Sequence, residues 1–309
     1  MRAIHIPQLR RGVSCLGLGS ATFNLANREK VFAVLDAFHG LGGNFVDTAK
    51  VYTGTEAEQV IGLWMKERGN REQIVLMDKG CHPPESMTAE GITEAVGGAL
   101  ARVGTDYIDL FVLHRDHPNV PVEVAVDAFN NEIASGRIRA WGISNWLLSR
   151  AAAAITCARE NGLAEPAISS PQICLAEAAE PFWADCLYAT EEYLAWHAAH
   201  GITLAAWSSV GQGFFREESG PENTSDPDMV RVYHSPRNFE KLSRARALAS
   251  EKGVTAVQIV LAYVLNLPAR IIALNGCQTP AEVASSVAAA EIELTPAELD
   301  WLALKTDRR

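Results

Sequence analysis

Eight short apolar runs, spread along almost the whole of a 309-residue chain, most constrain what it can fold into. They lie at 15–20, 44–49, 74–80, 108–114, 138–144, 167–173, 203–210 and 270–276. Most are continuous rather than alternating, the pattern of parallel strands covered on both faces; a strand with one face in water would be polar at every second position. Between the runs the apolar period becomes helical. Val31, Val34, Leu35, Phe38 and Leu41 share one stripe, and Val122, Ala125, Val126, Phe129 and Ile133 share another ahead of a stop at Gly136. Near the C-terminus Thr255 with Gln258, Thr279 with Glu282 and Thr295 with Glu298 have capping-box spacing, and Pro280 and Pro296 take the first helical position of the last two.

Strand and helix alternating in this way predict an α/β fold, either a (β/α)8 TIM barrel or a doubly wound open sheet. A dinucleotide fingerprint would favour the open sheet. The glycine-rich stretch at 15–20 is followed by no convincing helix, and no acidic residue closes a second strand at the nucleotide-binding position. The barrel is therefore favoured, as a single domain over 1–309. Residues 1–14, with IHI and GVS, are expected to form a short N-terminal hairpin, and extra helices follow the last strand. Residues 212–237, rich in Gly, Pro, Asp, Asn and Ser, read as a long loop after the seventh strand, opening onto the predicted active face.

A formal net charge of −10 argues against a nucleic-acid partner, which requires a basic face. Six cysteines are scattered without a CxxC or a His/Cys cluster at ligand spacing, so no metal site is expected and the thiols read as reduced, in a cytoplasmic protein. MRAIHIPQLRRG has no apolar signal-peptide core, and no apolar stretch approaches the ~20 residues of a membrane span. Neither secretion nor membrane insertion is expected.

Asp47, Tyr52, Lys79 and His114 stand at or just beyond the ends of three successive runs, GGNFVDTAKVY, QIVLMDKG and DLFVLH. In a barrel those ends share one face, where active sites are built. A phenol has an ordinary pKa of ~10, so proton transfer from Tyr52 near neutrality needs a neighbour that stabilises the phenolate. Lys79 can supply it, and Asp47 is the obvious counter-ion for a buried ammonium. His114 can hydrogen-bond the same carbonyl oxygen. Taken singly, each has a structural explanation: a turn cap, a rim packing residue, a solvated lysine, a satisfied core histidine. Together they point to carbonyl chemistry. A Schiff-base lyase using Lys79 is the competing enzyme reading.

The stretches FVDTAKVYTGTEAEQVIG, LMDKG, DLFVLHRD, WGISNW, SSPQICL, AAWSSVGQG and NGCQTPAEV run in the order of the aldo-keto reductase superfamily, and the chain resembles that superfamily over nearly its whole length. The resemblance implies that Tyr52 donates the proton, Lys79 and Asp47 tune it, and His114 orients the carbonyl, with hydride from a nicotinamide cofactor. It further implies that Ser144, Asn145 and Gln172 bind the nicotinamide carboxamide and that Trp207 stacks on its ring. Ser208, Ser209, Gly211 and Gly213 match the loop around the pyrophosphate, where small residues permit close backbone approach. Gly276, Cys277, Gln278, Glu282 and Ser286 fall in the last cofactor segment, near a helix N-terminus that favours phosphate.

The chain departs from the family in that segment. Gly276 and Glu282 stand where many members carry the lysine and arginine that grip the 2′-phosphate of NADPH. NADP(H) is the family expectation, with NAD(H) or dual use left open, because Glu282 can accept from a ribose hydroxyl or simply complete its capping box. Phe23, Trp146 and Trp183 are candidate substrate-pocket walls, and Asp116 and His117 follow His114 closely. A mixed aromatic and polar rim suits sugar-derived aldehydes and ketones. The expected partner is a small carbonyl or alcohol substrate, acted on by a monomer or homo-oligomer. Potassium-channel β subunits share the motifs, so a cofactor-binding regulatory subunit is the alternative outside enzymology.

Overall fold

The computed structural model describes residues 1–309, the side chain of Pro84 excepted. Two strands, β1 (Ala3–Ile4) and β2 (Val13–Ser14), pair antiparallel as the expected N-terminal hairpin. The next eight are β3 (Leu16–Gly19), β4 (Phe45–Ala49), β5 (Val75–Gly80), β6 (Ile108–Leu113), β7 (Ile138–Ser144), β8 (Ile168–Ser170), β9 (Thr203–Ala206) and β10 (Ile271–Asn275). They close a parallel barrel in chain order, with β10 beside β3. Each lies within one of the eight apolar runs.

The helices are α1 (Arg28–Gly40), α2 (Glu56–Arg68), α3 (Ala89–Val103), α4 (Val122–Ala134), α5 (Leu148–Glu160), α6 (Glu191–His200), α7 (Pro227–Tyr233), α8 (Pro236–Lys252), α9 (Ala256–Asn266), α10 (Pro280–Ala289) and α11 (Pro296–Leu302). On α1 and α4 the apolar stripes are buried at Val31, Val34, Leu35 and Phe38, and at Val122, Ala125, Val126 and Phe129. Phe129 stacks on Trp141 of β7, 5.1 Å between ring centroids, and so seals one helix onto the outer face of the barrel. Gly17 is required for close packing inside the barrel. A Cβ there would come within 2.6 Å of Leu274 and 2.7 Å of Phe45, so this glycine-rich stretch serves barrel closure.

Residues 212–237 are not one loop. Asp226 caps α7, accepting from the Asp228 and Met229 amides, and Ser235 caps α8, with Pro227 and Pro236 just inside each start. The composition that reads as loop is equally the composition of helix N-termini, and only 214–226 is irregular apart from turns. The expected capping boxes close at Thr255/Gln258 and Thr295/Glu298. The third is incomplete. Thr279 accepts from the Glu282 amide at 3.2 Å, but Glu282 Oε2 accepts instead from the amide of Gln278 at 2.6 Å.

Candidate active site

Register places the polar strand ends on one interior ring. Asp47 pairs with Gly19 on one side and Met77 on the other, so Asp47 and, one pleat further, Lys79 face inward. Lys79 is level with Val112 and Val112 with Gly142, so His114 and Ser144, two residues on, share that inward face at the C-terminal rim. Gln172 bridges to Trp207 and completes the arc towards β10. Tyr52 comes from the short helical turn after β4, where Thr53 and Thr55 adopt positive φ and Thr53 Oγ1 donates to the Phe23 carbonyl at 2.5 Å.

Four groups meet at the floor of a cavity of about 1130 Å³, which opens at this end of the barrel. Lys79 Nζ donates to Asp47 Oδ1, and to Tyr52 Oη at 3.2 Å. Asp47 and Lys79 are each only 3% exposed. Burial alone would pull the Lys79 ammonium down, but Asp47 and Tyr52 outweigh it and push it up to about 12. Burial, aided by the Asp47 charge, lifts Tyr52 above the ordinary phenol range against the pull of Lys79. Burial, with the charges of Lys79 and Arg115, holds His114 well below the usual imidazole range. The resting constellation is thus an ammonium, a neutral phenol and a neutral imidazole. The His114 ring packs edge-on to Tyr52, 6.0 Å between centroids, and its Nδ1 is buried without a partner among the described residues. This arrangement can deliver a proton to an oxygen and stabilise the phenolate left behind.

From the floor the cavity runs past Ser144, Asn145 and Trp207, along Ser208, Ser209, Gly213, Arg216, Glu217 and Glu218, to Gly276, Cys277, Gln278, Glu282 and Ser286. Asn145 has φ 61° and its amide spans Ser144 Oγ at 3.0 Å and the Leu187 amide at 3.0 Å. Ser208, at φ 55°, lies in the turn just after β9 and carries the chain across the rim. Gln278 Nε2 donates to Thr22 Oγ1 at 2.8 Å, tying the segment after β10 to the loop after β3. Ser286 accepts from Asn275 at 2.7 Å.

Several expected site residues lie elsewhere. Gln172 and Gly211 are buried outside the lining, and the Gln172 amide donates to Tyr233 Oη. Phe23 and Trp146 are 2% and 0% exposed and do not line the cavity. Their loops turn inward, so the rings join the core; only Trp183 of that trio lines the cavity, half exposed and 5.8 Å from Trp207. Asp116 is held by Arg150 at 2.9 Å, and the His117 carbonyl accepts from the same guanidinium; neither residue lines the cavity.

Other lining residues carry no sequence signal as strong as the tetrad's. His82 stacks obliquely against His114 at 5.2 Å, and Arg115, Cys186, Arg216 and Arg246 also face the cavity. Arg246, on α8, donates to the carbonyls of Arg216, Glu217 and Ser219 at 3.2, 2.9 and 2.8 Å, and so braces the loop after β9. Its sequence distance from that loop hides the link.

Fold and site together match a known class of barrel oxidoreductases. The model of the aldo/keto reductase family matches residues 15–303, and the chain belongs to that family. A norsolorinic acid reductase, stcV, of Emericella nidulans is 28% identical over 291 residues, which cover 88% of this chain and 70% of the relative. A probable voltage-gated potassium channel subunit beta of Oryza sativa subsp. japonica is 26% identical, covering 93% of this chain and 91% of the relative. Among solved structures, an aldo-keto reductase from Klebsiella pneumoniae in complex with NADPH superposes with a TM-score of 0.76 at 25% identity, covering 97% of this chain and 93% of the other.

Proposed function

We propose that this enzyme reduces a small aldehyde or ketone, or oxidises the corresponding alcohol, with a nicotinamide dinucleotide, and that Asp47, Tyr52, Lys79 and His114 form its catalytic set. The observation that carries this reading is Lys79 Nζ shared between Asp47 and Tyr52 at the cavity floor. Tyr52, protonated at rest, gives its proton to the carbonyl oxygen; the adjoining ammonium then offsets the phenolate charge. Asp47 keeps that ammonium charged where burial alone would discharge it. His114, neutral, is a hydrogen-bond donor to the same oxygen and orients it.

The residues present fit the dinucleotide. The cavity exceeds the usual range for a single small ligand and continues from Trp207 along a loop of small residues to the N-terminus of α10. A reduced nicotinamide supplies the hydride when bound. Ser144 and Asn145 are suited to its carboxamide and Trp207 to its ring, while Ser208, Ser209, Gly213 and the amides at 276–278 suit its phosphates. Gln172 and Gly211 would act by supporting the wall. Arg216 and Arg246 add positive charge at that end.

Glu282 bears on which dinucleotide is used. Its carboxylate already occupies the Gln278 amide and would repel a 2′-phosphate. Accordingly NAD(H) is proposed to serve alongside the NADP(H) expected of the family. Comparing kcat/KM with both cofactors tests this, and absence of turnover with NADH would refute it. The six cysteines are all free thiols, which supports work in the cytoplasm.

The decisive variant is Tyr52→Phe, which keeps the ring and removes the proton. Turnover should fall by ~10²–10⁴ while cofactor affinity persists; unchanged turnover overturns the assignment. A Schiff-base role for Lys79 is disfavoured, since an amine pushed up to about 12 is protonated and poorly nucleophilic. A purely cofactor-binding role, as a regulatory subunit, predicts no turnover of any carbonyl by the wild type.

A further inference from the structure

The substrate end of the cavity holds a cation that no carboxylate neutralises. Arg115 directly follows His114 and lines the cavity with Tyr52, His82, Trp183 and Cys186. Its Nη1 donates to the His114 carbonyl at 2.9 Å, which anchors one edge of the guanidinium. Its charge bears on several titratable neighbours there: after burial it is the next cause depressing the His82 imidazole, and it favours the charged forms of Cys186 and Tyr52.

Several other buried or half-buried cations are matched. Lys79 has Asp47, Arg102 has Glu58, Arg71 and Arg139 share Asp109, and Arg150 has Asp116. Among the described residues no acidic oxygen lies within ion-pair distance of Arg115. Asp116, its neighbour, is turned to Arg150, and Asp185, beside Cys186, is exposed and outside the lining. The carboxylates that do line the cavity, apart from Asp47, are Glu217 and Glu218 on the loop after β9 and Glu282 on α10. A chain with 37 acidic against 27 basic residues has ample means to pair this guanidinium and does not. A half-buried cation left open in a cavity invites an anionic ligand.

We propose that Arg115 recognises a carboxylate on the substrate, so that the preferred substrates are aldehydes or ketones that also carry a carboxylate group. This rests on the carbonyl-reductase reading and specifies its substrate class. One guanidinium balances the single charge of a carboxylate, whereas a phosphate, with close to two charges, is balanced only by a second cation. His82 does not provide the second, because burial and Arg115 both hold it below the usual imidazole range. Trp183, half exposed and beside Trp207, offers an apolar wall for the spacer between carbonyl and carboxylate.

The test compares para-formylbenzoate with its methyl ester, which keeps an electron-withdrawing group and ring size but removes the charge. In the wild type kcat/KM should favour the acid by about tenfold or more, the scale of a charge-assisted hydrogen bond. Arg115→Gln should bring the ratio near one, chiefly through KM of the acid, and Arg115→Lys should keep part of it. A wild-type ratio near one, or a ratio that survives Arg115→Gln, overturns the proposal. Stronger preference for glycolaldehyde phosphate over glycolaldehyde than for acid over ester overturns the carboxylate assignment in favour of phosphate. If no aldehyde is turned over, the reductase reading itself fails. Quenching of tryptophan fluorescence by acid and ester, in wild type and Arg115→Gln, then tests charge recognition alone, and equal quenching by the two overturns it.

Discussion

Lys79 and Asp78 are adjacent in sequence, both buried, and point to opposite faces of β5, yet their charges are handled in opposite ways. Inside the barrel Lys79 has Asp47 as its counter-ion and Tyr52 as a further partner. Outside it, beneath α2 and α3, neither oxygen of Asp78 has a hydrogen-bond partner among the described residues. The charged groups that act on it are Glu58 and Arg102, and Arg102 is already committed to Glu58 through two bonds of 2.5 and 2.8 Å. Thr48, opposite Asp78 on β4, has a buried hydroxyl that is also unpartnered, and Phe111 opposes it on β6. Burial, then the Glu58 charge, drives the Asp78 carboxyl well above its usual range. The lesson is that burial sets no single outcome for a charged group. With a counter-ion the charge persists and can be used in catalysis; without one the group takes up a proton.

The largest effect should follow from breaking the inner pair. Lys79→Met leaves Asp47 buried without its cation and Tyr52 without the charge that stabilises phenolate. Turnover should fall by ~10²–10⁴, and stability by about 3–5 kcal/mol, the usual cost of orphaning one half of a buried pair. Denaturant midpoints and steady-state rates measure the two separately. Wild-type stability in Lys79→Met would mean that Asp47 is as easily left unpaired as Asp78, and the contrast between the two faces would collapse.

The inner set was legible in the sequence because strand geometry leaves little freedom. Asp47, Lys79 and His114 each end an apolar run, and period-two alternation with parallel register carries all three onto one rim. Loops offer no such arithmetic. Phe23 and Trp146 look like rim residues by position but turn into the core, which also removes two of the three aromatics behind the expectation of a sugar-derived substrate. Arg115 follows an inward residue and would face outward if β6 continued; the strand ends at Leu113, and the guanidinium reaches the cavity instead. Arg246 lies on a helix far along the chain from the loop it braces. Asp78 did leave a trace: an acid in the middle of an apolar run whose outer face a helix must cover.

The smallest effect should come from the outer face, and it has the opposite sign. Asp78→Asn keeps the shape, stays neutral at every pH and can donate to Glu58. Below about pH 4 an aspartic acid is protonated in both the folded and the unfolded chain, so the variant gains little there. As pH rises the unfolded chain releases this proton while the folded chain, with its raised pKa, retains it, so wild-type stability declines. The variant escapes that decline. It should be more stable than wild type near pH 8, with the gain shrinking towards zero near pH 4. Urea midpoints across that range give the profile directly. A loss of stability at pH 8, or a gain independent of pH, would show that Asp78 holds a charge in the folded chain as Lys79 does, and would remove the difference between the two faces of β5.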